Sequence, residues 1–238
     1  FPASPATMTV NQSDISQRPV SSKIAAFFDV DNTLVPGTAI EVRFFHYLRR
    51  QGIVGWTDAA RSLGYLLQHM PPVSLHPLRE RKLYLEGKRP ETIEPLADAF
   101  VQRDIRPLVS RAAVARMEEH QRSDHHVVFI TGCPEFLIAP LAKFLGVETI
   151  FCAQPDLDET GAYTGHLVLP VPYGEGKRLL VEEFAHERGL TLKDCFAYGD
   201  SPGDVEILLA VGHPLVVNPI RGMERIAAQY HWPVVRWE

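Results

Sequence analysis

Hydrophobic and polar positions follow two rhythms along this chain, and the change between them divides it. The first strong signal is Ile24-Ala-Ala-Phe-Phe28, a short unbroken apolar run. Such a run fits a strand buried on both faces of a parallel sheet. It ends in the polar stretch Asp29-Val-Asp-Asn-Thr33. Over the next roughly 70 residues the apolar spacing becomes helical. Ile40, Phe44, Tyr47 and Leu48 share one helical face, and Ala59, Leu63, Leu66 and Leu67 repeat it until Pro71-Pro72 breaks the pattern. Helical spacing resumes over Leu78–Leu85 and Ile93–Phe100, and no strand is expected in this block. Pro107 suits the first turn of a further helix reaching about Gln121.

The short apolar runs then return. Val127-Val-Phe-Ile130 reads as a buried strand closing at Thr131-Gly132, followed by a helix from Pro134 to Leu145 that Gly146 terminates. Thr149-Ile-Phe-Cys152 is another strand, and Gly161-Ala-Tyr-Thr-Gly165 between two extended runs predicts a hairpin. Gly174-Glu-Gly-Lys177 opens a helix ending at Gly189. Cys195-Phe-Ala-Tyr198 is a strand ending at Gly199-Asp-Ser201, with a short helix after it to Val211. Pro214–Val217 and Pro233–Val235 are the last strands, around a helix at Ile220–Tyr230. This alternation predicts an α/β fold, a parallel sheet with helices on both faces. The helical block reads as an insertion after the first strand. The expected division is a core of residues 23–36 and 107–238 and a helical cap of residues 37–106. Residues 1–22, polar and rich in Pro and Ser, read as a flexible leader, with Met8 a candidate native start.

Composition narrows the function classes. A net charge of −5 argues against nucleic acid as a partner, which needs a basic face. No apolar stretch approaches the roughly 18 residues of a membrane span. The three cysteines, Cys133, Cys152 and Cys195, are widely spaced and form no CxxC pair, so neither a disulfide framework nor a structural zinc site is expected. A reducing cytoplasm is the simplest compartment.

Polar groups converge at the expected carboxyl ends of the strands, where such sheets bind ligands. They are Asp29, Asp31 and Thr33; Thr131 and Gly132; and Asp200, Ser201 and Asp204, with Lys177 opening a helix after a Gly-rich turn. Clustered carboxylates offer hard oxygen ligands to magnesium, and a lysine, a hydroxyl and glycine amides offer donors to phosphate. The pattern reads as a site for an anion plus a divalent cation. Each motif alone has a plainer reading: a capped turn at Asp29–Thr33, a strand-to-helix turn at Thr131-Gly132, a solvated lysine at Lys177 and a helix cap at Asp200–Asp204. Their order and joint placement at strand ends favour the site.

These residues resemble the haloacid-dehalogenase superfamily of phosphatases. Asp29-Val-Asp-Asn-Thr-Leu34 is similar to its first motif, DxDxT; Thr131 to its second, Lys177 to its third, and Gly199-Asp-Ser-Pro-Gly-Asp204 to its fourth, GDSxxD. The resemblance implies a Rossmann-like, doubly wound core with a helical cap, and roles for each residue. Asp29 would attack phosphorus and become an aspartyl-phosphate. Asp31 would protonate the leaving alcohol and then activate water. Thr131, Gly132 and Lys177 would hold the phosphoryl group. Magnesium would bind Asp29, the Asp31 carbonyl, Asp200 and, directly or through water, Asp204. Haloacid dehalogenases lack a counterpart of Asp31, so its presence favours phosphoryl chemistry.

Within the superfamily the chain looks most like the phosphoserine-phosphatase group, which has a cap between the first and second motifs. That group carries a substrate-binding Glu where this chain has Thr38, and Glu41 stands one helical turn further on. Gly132-Cys133-Pro134 replaces its usual Gly-Gly, and Ser201 its usual Gly. The expected substrate is therefore a small phosphate monoester other than phosphoserine, such as histidinol phosphate, a sugar or polyol phosphate or a lysophospholipid headgroup, with phosphoserine kept as a candidate.

Glu41, Arg43 and Thr38 are the candidate specificity residues. The other cap cations (His46, Arg49, Arg50, Arg61, Arg79, Arg81, Lys82) read mostly as solvated, with one or two facing the site. Cys133 reads as pocket lining and His125-His126 as a polar loop. Cap motion at Pro36-Gly37 and Pro107 would gate the site. Two competing functions are a phosphotransferase or phosphomutase using the same intermediate, and a non-catalytic phosphate-ligand-binding protein.

Overall fold

The computed structural model describes residues 23–55 and 81–237. The leader, the helical face at Ala59–Leu67, the Pro71-Pro72 break, and Arg61 and Arg79 lie outside the described residues.

Seven strands form one sheet: β1 (Ala25–Phe28), β2 (His126–Pro134), β3 (Thr149–Leu157), β4 (Tyr163–Val168), β5 (Phe196–Gly199), β6 (His213–Val217) and β7 (Val234–Val235). Their order is β4-β3-β2-β1-β5-β6-β7. All neighbours are parallel except β3 and β4, which form the expected hairpin. The helices are α1 (Ile40–Arg50), α2 (Pro90–Phe100), α3 (Arg111–Arg122), α4 (Glu135–Leu145), α5 (Glu175–Arg188), α6 (Val205–Ala210) and α7 (Met223–Tyr230).

The unbroken apolar runs are explained by burial on both faces. Ala25 and Phe27 of β1 point into a layer with Val181, Phe184, Ile207 and Met223, while Ala26 and Phe28 point into another with Phe44, Met117, Leu137 and Leu141. Successive strand residues face opposite sides, so a strand covered by helices on both sides has no polar position to spare. The result is a three-layer α/β/α fold. The chain builds outward from β1 through β2 and β3, then returns to the other side of β1 with β5. That reversal opens a crevice at the carboxyl ends of β1 and β5.

Three expectations are corrected. Pro107 does not open α3; it lies in a 3-10 turn at Arg106–Leu108, and α3 begins after Ser110, whose Oγ accepts from Ala113 N at 3.3 Å. An N-cap oxygen of this kind satisfies a donor that the first helical turn leaves open. Second, the described part of Leu78–Leu85 is not an α-helix. Arg81 forms a β-bridge to His166 and Leu83–Leu85 is a 3-10 turn. Around it, Lys82 N donates to Gly165 O, and Gly87 N and Tyr163 N complete a ladder with Tyr163 O and Lys88 O, each at 2.8 Å. Third, this ladder means that extended chain does interrupt the block between β1 and β2, and it ties residues 81–88 to β4 between the two linkers expected to act as hinges.

Candidate active site

The turn after β1 is built around Asn32, whose φ of +56° is left-handed, a conformation that Asn tolerates better than most residues. Asn32 N donates to Val35 O at 2.9 Å, and Leu34 N to Val30 O at 2.9 Å. The Asn32 side chain holds neighbouring loops together: Nδ2 donates to Asp200 Oδ2 at 2.9 Å and to Asn218 O at 2.8 Å, and Oδ1 accepts from Gly37 N at 3.0 Å. Asn218 returns a bond from Nδ2 to Asn32 O at 2.8 Å and grips the Trp237 backbone through both N and O. The loops after β1, β5 and β6 are thus one hydrogen-bonded unit.

Around that unit three buried carboxylates meet. Asp29, Asp200 and Asp204 each bring a carboxylate oxygen within 4.8 Å of the others. Lys177, on the first turn of α5, donates from Nζ to Asp29 Oδ1 and to Asp204 Oδ1, both at 2.6 Å. Asp204 is spent on positioning: its Oδ2 accepts from Asp200 N, Ser201 N and Ser201 Oγ at 2.9–3.1 Å. Burial raises the Asp29 carboxyl well above the ordinary range; Lys177 pulls it down, and Asp204, Asp200 and Asp31 push it up again. Burial and Asp204 push Asp200 up to about 7. Burial works against the Lys177 ammonium, but Asp204 and Asp29 outweigh it and hold its pKa above the usual lysine value. Three carboxylates against one ammonium leave an excess of buried negative charge. A divalent cation on Asp29 and Asp200 would balance it, so the donor set fits magnesium, a hard ion that takes oxygen ligands.

The cluster opens into a cavity of about 440 Å³, lined also by Asp31, Thr131, Gly132 and Cys133. Thr131 Oγ1 accepts from Cys133 N at 3.2 Å, leaving its proton free to donate. Asp31 stands outside the three-carboxylate group: its Oδ1 accepts from Ile40 N at 2.7 Å, and burial raises its pKa against that bond. Thr33 is not among the residues lining the cavity; it is fully buried and its Oγ1 has no hydrogen-bond partner among the described residues. Burial raises the Cys133 thiol well above its usual value, which makes it an inert wall rather than a nucleophile.

The cavity is also lined by Glu41 and Lys82, paired at 2.5 Å from Oε2 to Nζ. Thr38 and Arg43 are not among the residues that line the cavity. Arg43 Nε donates to Thr38 O at 2.8 Å, so the guanidinium folds back on its own helix entrance. Among the described cations of residues 37–106, Lys82 lines the cavity, 5% exposed. Its charge alone did not set it apart from its neighbours. Asn32, Asn218 and the cavity-lining Tyr173 and Ile220 were also missed. Asn32 lies inside the first motif, whereas Asn218 had only its position after a strand to mark it. His125 is not a plain loop residue: its Nδ1 lies 2.9 Å from Nδ1 of the buried His120.

Among the described residues no helix is long and apolar enough to cross a membrane. A phosphoserine phosphatase of Mycobacterium tuberculosis is 29% identical over 236 residues, spanning 97% of this chain and 76% of that protein. A histidinol-phosphatase of Neisseria meningitidis serogroup C is 27% identical over 222 residues, 91% of this chain and 100% of that protein. A crystal structure of a protein of unknown function from Bordetella pertussis Tohama I superposes with a TM-score of 0.76 at 27% identity, covering 89% of this chain and 97% of that one. The model of the haloacid dehalogenase-like hydrolase family matches residues 26–209, a span that holds every carboxylate of the cluster and Lys177. The chain belongs to that hydrolase family.

Proposed function

We propose that this hydrolase is a magnesium-dependent phosphatase acting on a small-molecule phosphate monoester, with Asp29 as nucleophile. The observation that carries the reading is the Asp29–Lys177–Asp204 bridge at the floor of the cavity. It fixes one Asp29 oxygen on an ammonium and leaves the other for attack. Asp29 forms a bond to phosphorus as the bond to the leaving oxygen breaks, and Asp31 delivers a proton to that oxygen. Water then attacks phosphorus, gives its proton back to Asp31, and frees phosphate and the Asp29 carboxylate. Thr131, Gly132 and Lys177 hold the phosphoryl oxygens throughout. Magnesium, when held by Asp29, Asp200 and the Asp31 carbonyl with Asp204 behind them, would offset the phosphoryl charge.

Residues 37–106 act in this reading as a cap over a core of residues 23–36 and 107–238. The Glu41–Lys82 pair lies at the leaving-group end. It offers a carboxylate and a neutralised cation, which favours an alcohol carrying hydroxyl or amine donors over one carrying only a carboxylate. The three free, buried cysteines suit a reducing cytoplasm. The test is a panel of phosphate monoesters with wild type and Asp29→Asn, in magnesium and in EDTA. The panel holds phosphoserine, histidinol phosphate, sugar phosphates and lysophosphatidic acid. Magnesium-dependent release that disappears in the variant supports the reading; equal release by both proteins removes Asp29 as nucleophile.

A further inference from the structure

We infer that the first turn of α1 is a positioning device for proton transfer: the backbone N–H of Ile40 holds Asp31 in the orientation from which it protonates the leaving oxygen. The inference rests on the phosphatase reading above and adds a group that no motif contains.

The geometry is specific. The first N–H groups of a helix have no partner within the helix. The N-cap of α1 is Ala39, which has no side-chain acceptor to offer. Ile40 N donates instead to Asp31 Oδ1, nine residues back, at 2.7 Å. That is the length of a strong bond to a carboxylate. The other Asp31 oxygen makes no hydrogen bond among the described residues, while Asp31 lines the cavity. One oxygen is thus anchored and the other is left to face substrate.

The anchor itself is fixed from two sides. The Ile40 side chain is fully buried in the core. Glu41, the next residue, pairs with Lys82, whose backbone N donates to Gly165 O at 2.8 Å. A carboxyl group on a single-bonded stem turns easily about its last torsion. Without Ile40 N–H, Asp31 keeps its chemistry but loses its aim, and small misplacements of a catalytic group cost large factors in rate. Because Glu41 shares the same turn, a leaving group that engages Glu41 also bears on the element that aims Asp31.

A missing proton matters only when the leaving group needs one. An alkoxide does; p-nitrophenolate does not. The test compares Ile40→Pro with Ile40→Ala. Both lose the buried side chain, but only proline lacks the N–H. Proline is well suited to the first helical position, and Ala39, with ψ of 141°, already has the extended backbone that a residue before proline requires. First-turnover release of the leaving group is measured for an alkyl phosphate and for p-nitrophenyl phosphate, so that the later hydrolysis step does not enter. The expected result is that Ile40→Pro falls about tenfold or more below Ile40→Ala on the alkyl ester, and within about twofold of it on the nitrophenyl ester. Parallel losses on both esters, or no difference between the variants, overturn the inference. If the proline variant does not fold, replacing Ile40 by its α-hydroxy acid removes the N–H, keeps the side chain and is read the same way. Failure of the phosphatase reading looks different: an inactive wild type or an active Asp29→Asn variant. A live wild type, a dead Asp29→Asn and parallel losses sink this inference alone.

Discussion

Lys177 is the single cation between two buried carboxylates, so Lys177→Met tests the electrostatics of the site directly. The methionine keeps an unbranched stem of similar reach, and the change is chiefly the loss of charge and of two hydrogen bonds. The side chains of Lys177 and Asp204 are 3% and 2% exposed, and that of Asp29 10%, so water does little to replace what is removed. Removing one partner of a buried ion pair costs about 3–5 kcal/mol, because the other charge is left desolvated. In a chain of this size each kcal/mol is worth about 2–4 °C in melting temperature. The variant is therefore expected to melt about 10 °C below wild type in EDTA. Magnesium should recover more of the melting temperature for the variant than it adds to wild type, since it supplies positive charge to the same oxygens. The assay is thermal unfolding followed by circular dichroism, with and without magnesium. A variant that melts within about 1 °C of wild type in EDTA would refute the reasoning. It would mean that the carboxylates are hydrated or relax apart at no cost.

Two further outcomes are expected. Asn32→Ala removes the bond to Asp200 Oδ2, a support behind an expected metal ligand, and should weaken magnesium affinity about tenfold; an unchanged magnesium dependence of turnover would show that Asp200 needs no such support. Burial, with His125 and Arg116 adding to it, pushes His120 down to about 4, so the fold prefers it neutral. The unfolded chain binds the extra proton first as pH falls, so this stability is complete above the usual histidine pKa and is lost between there and about 4. Allowing for partial solvent screening, the stability difference between wild type and His120→Gln should narrow by about 1 kcal/mol from pH 7 to pH 5; a urea-unfolding difference that does not change with pH would count against the buried neutral histidine.

The half of the site built from Asp29, Thr131, Lys177 and Asp200 was legible because its residues are local signals. Asp29, Thr131 and Asp200 each follow an apolar run, and strand ends in a parallel sheet converge whatever the details of packing. Lys177 follows a Gly-rich turn that opens a helix, which is equally local. The Glu41–Lys82 half was not legible in the same way. Lys82 reaches the cavity only because residues 81–88 pair with β4, a partner some eighty positions later in the chain. Periodicity within one segment carries no information about such a partner, so the segment read as a helix. Arg43 shows the opposite case: a charged residue beside Gly37 whose acceptors are the nearby carbonyls of Pro36 and Thr38. Pro107 failed for a third reason: a proline at the start of an α-helix and one in a 3-10 turn look alike, and only the Ser110 cap distinguishes them. The length of β3 was also underestimated, since its outer part, Gln154–Leu157, reaches beyond the apolar core run to pair with β4 as a hairpin.

That hairpin separates two kinds of change open to the molecule over evolutionary time. Asp29, Thr131 and Asp200 stand at the carboxyl ends of β1, β2 and β5 in the middle of the sheet, packed on both faces. Lys82 hangs on β4, at the sheet's edge, and its turn at Asp158–Gly161 is held by the bonds of Asp158 to Thr160 and Ala162. For the phosphatase proposed above, lengthening, shortening or tilting this edge would move the Glu41–Lys82 side of the cavity while Asp29 stays still. A lineage built this way can take on new esters by editing one peripheral loop, inheriting its chemistry unchanged and renegotiating only its clientele.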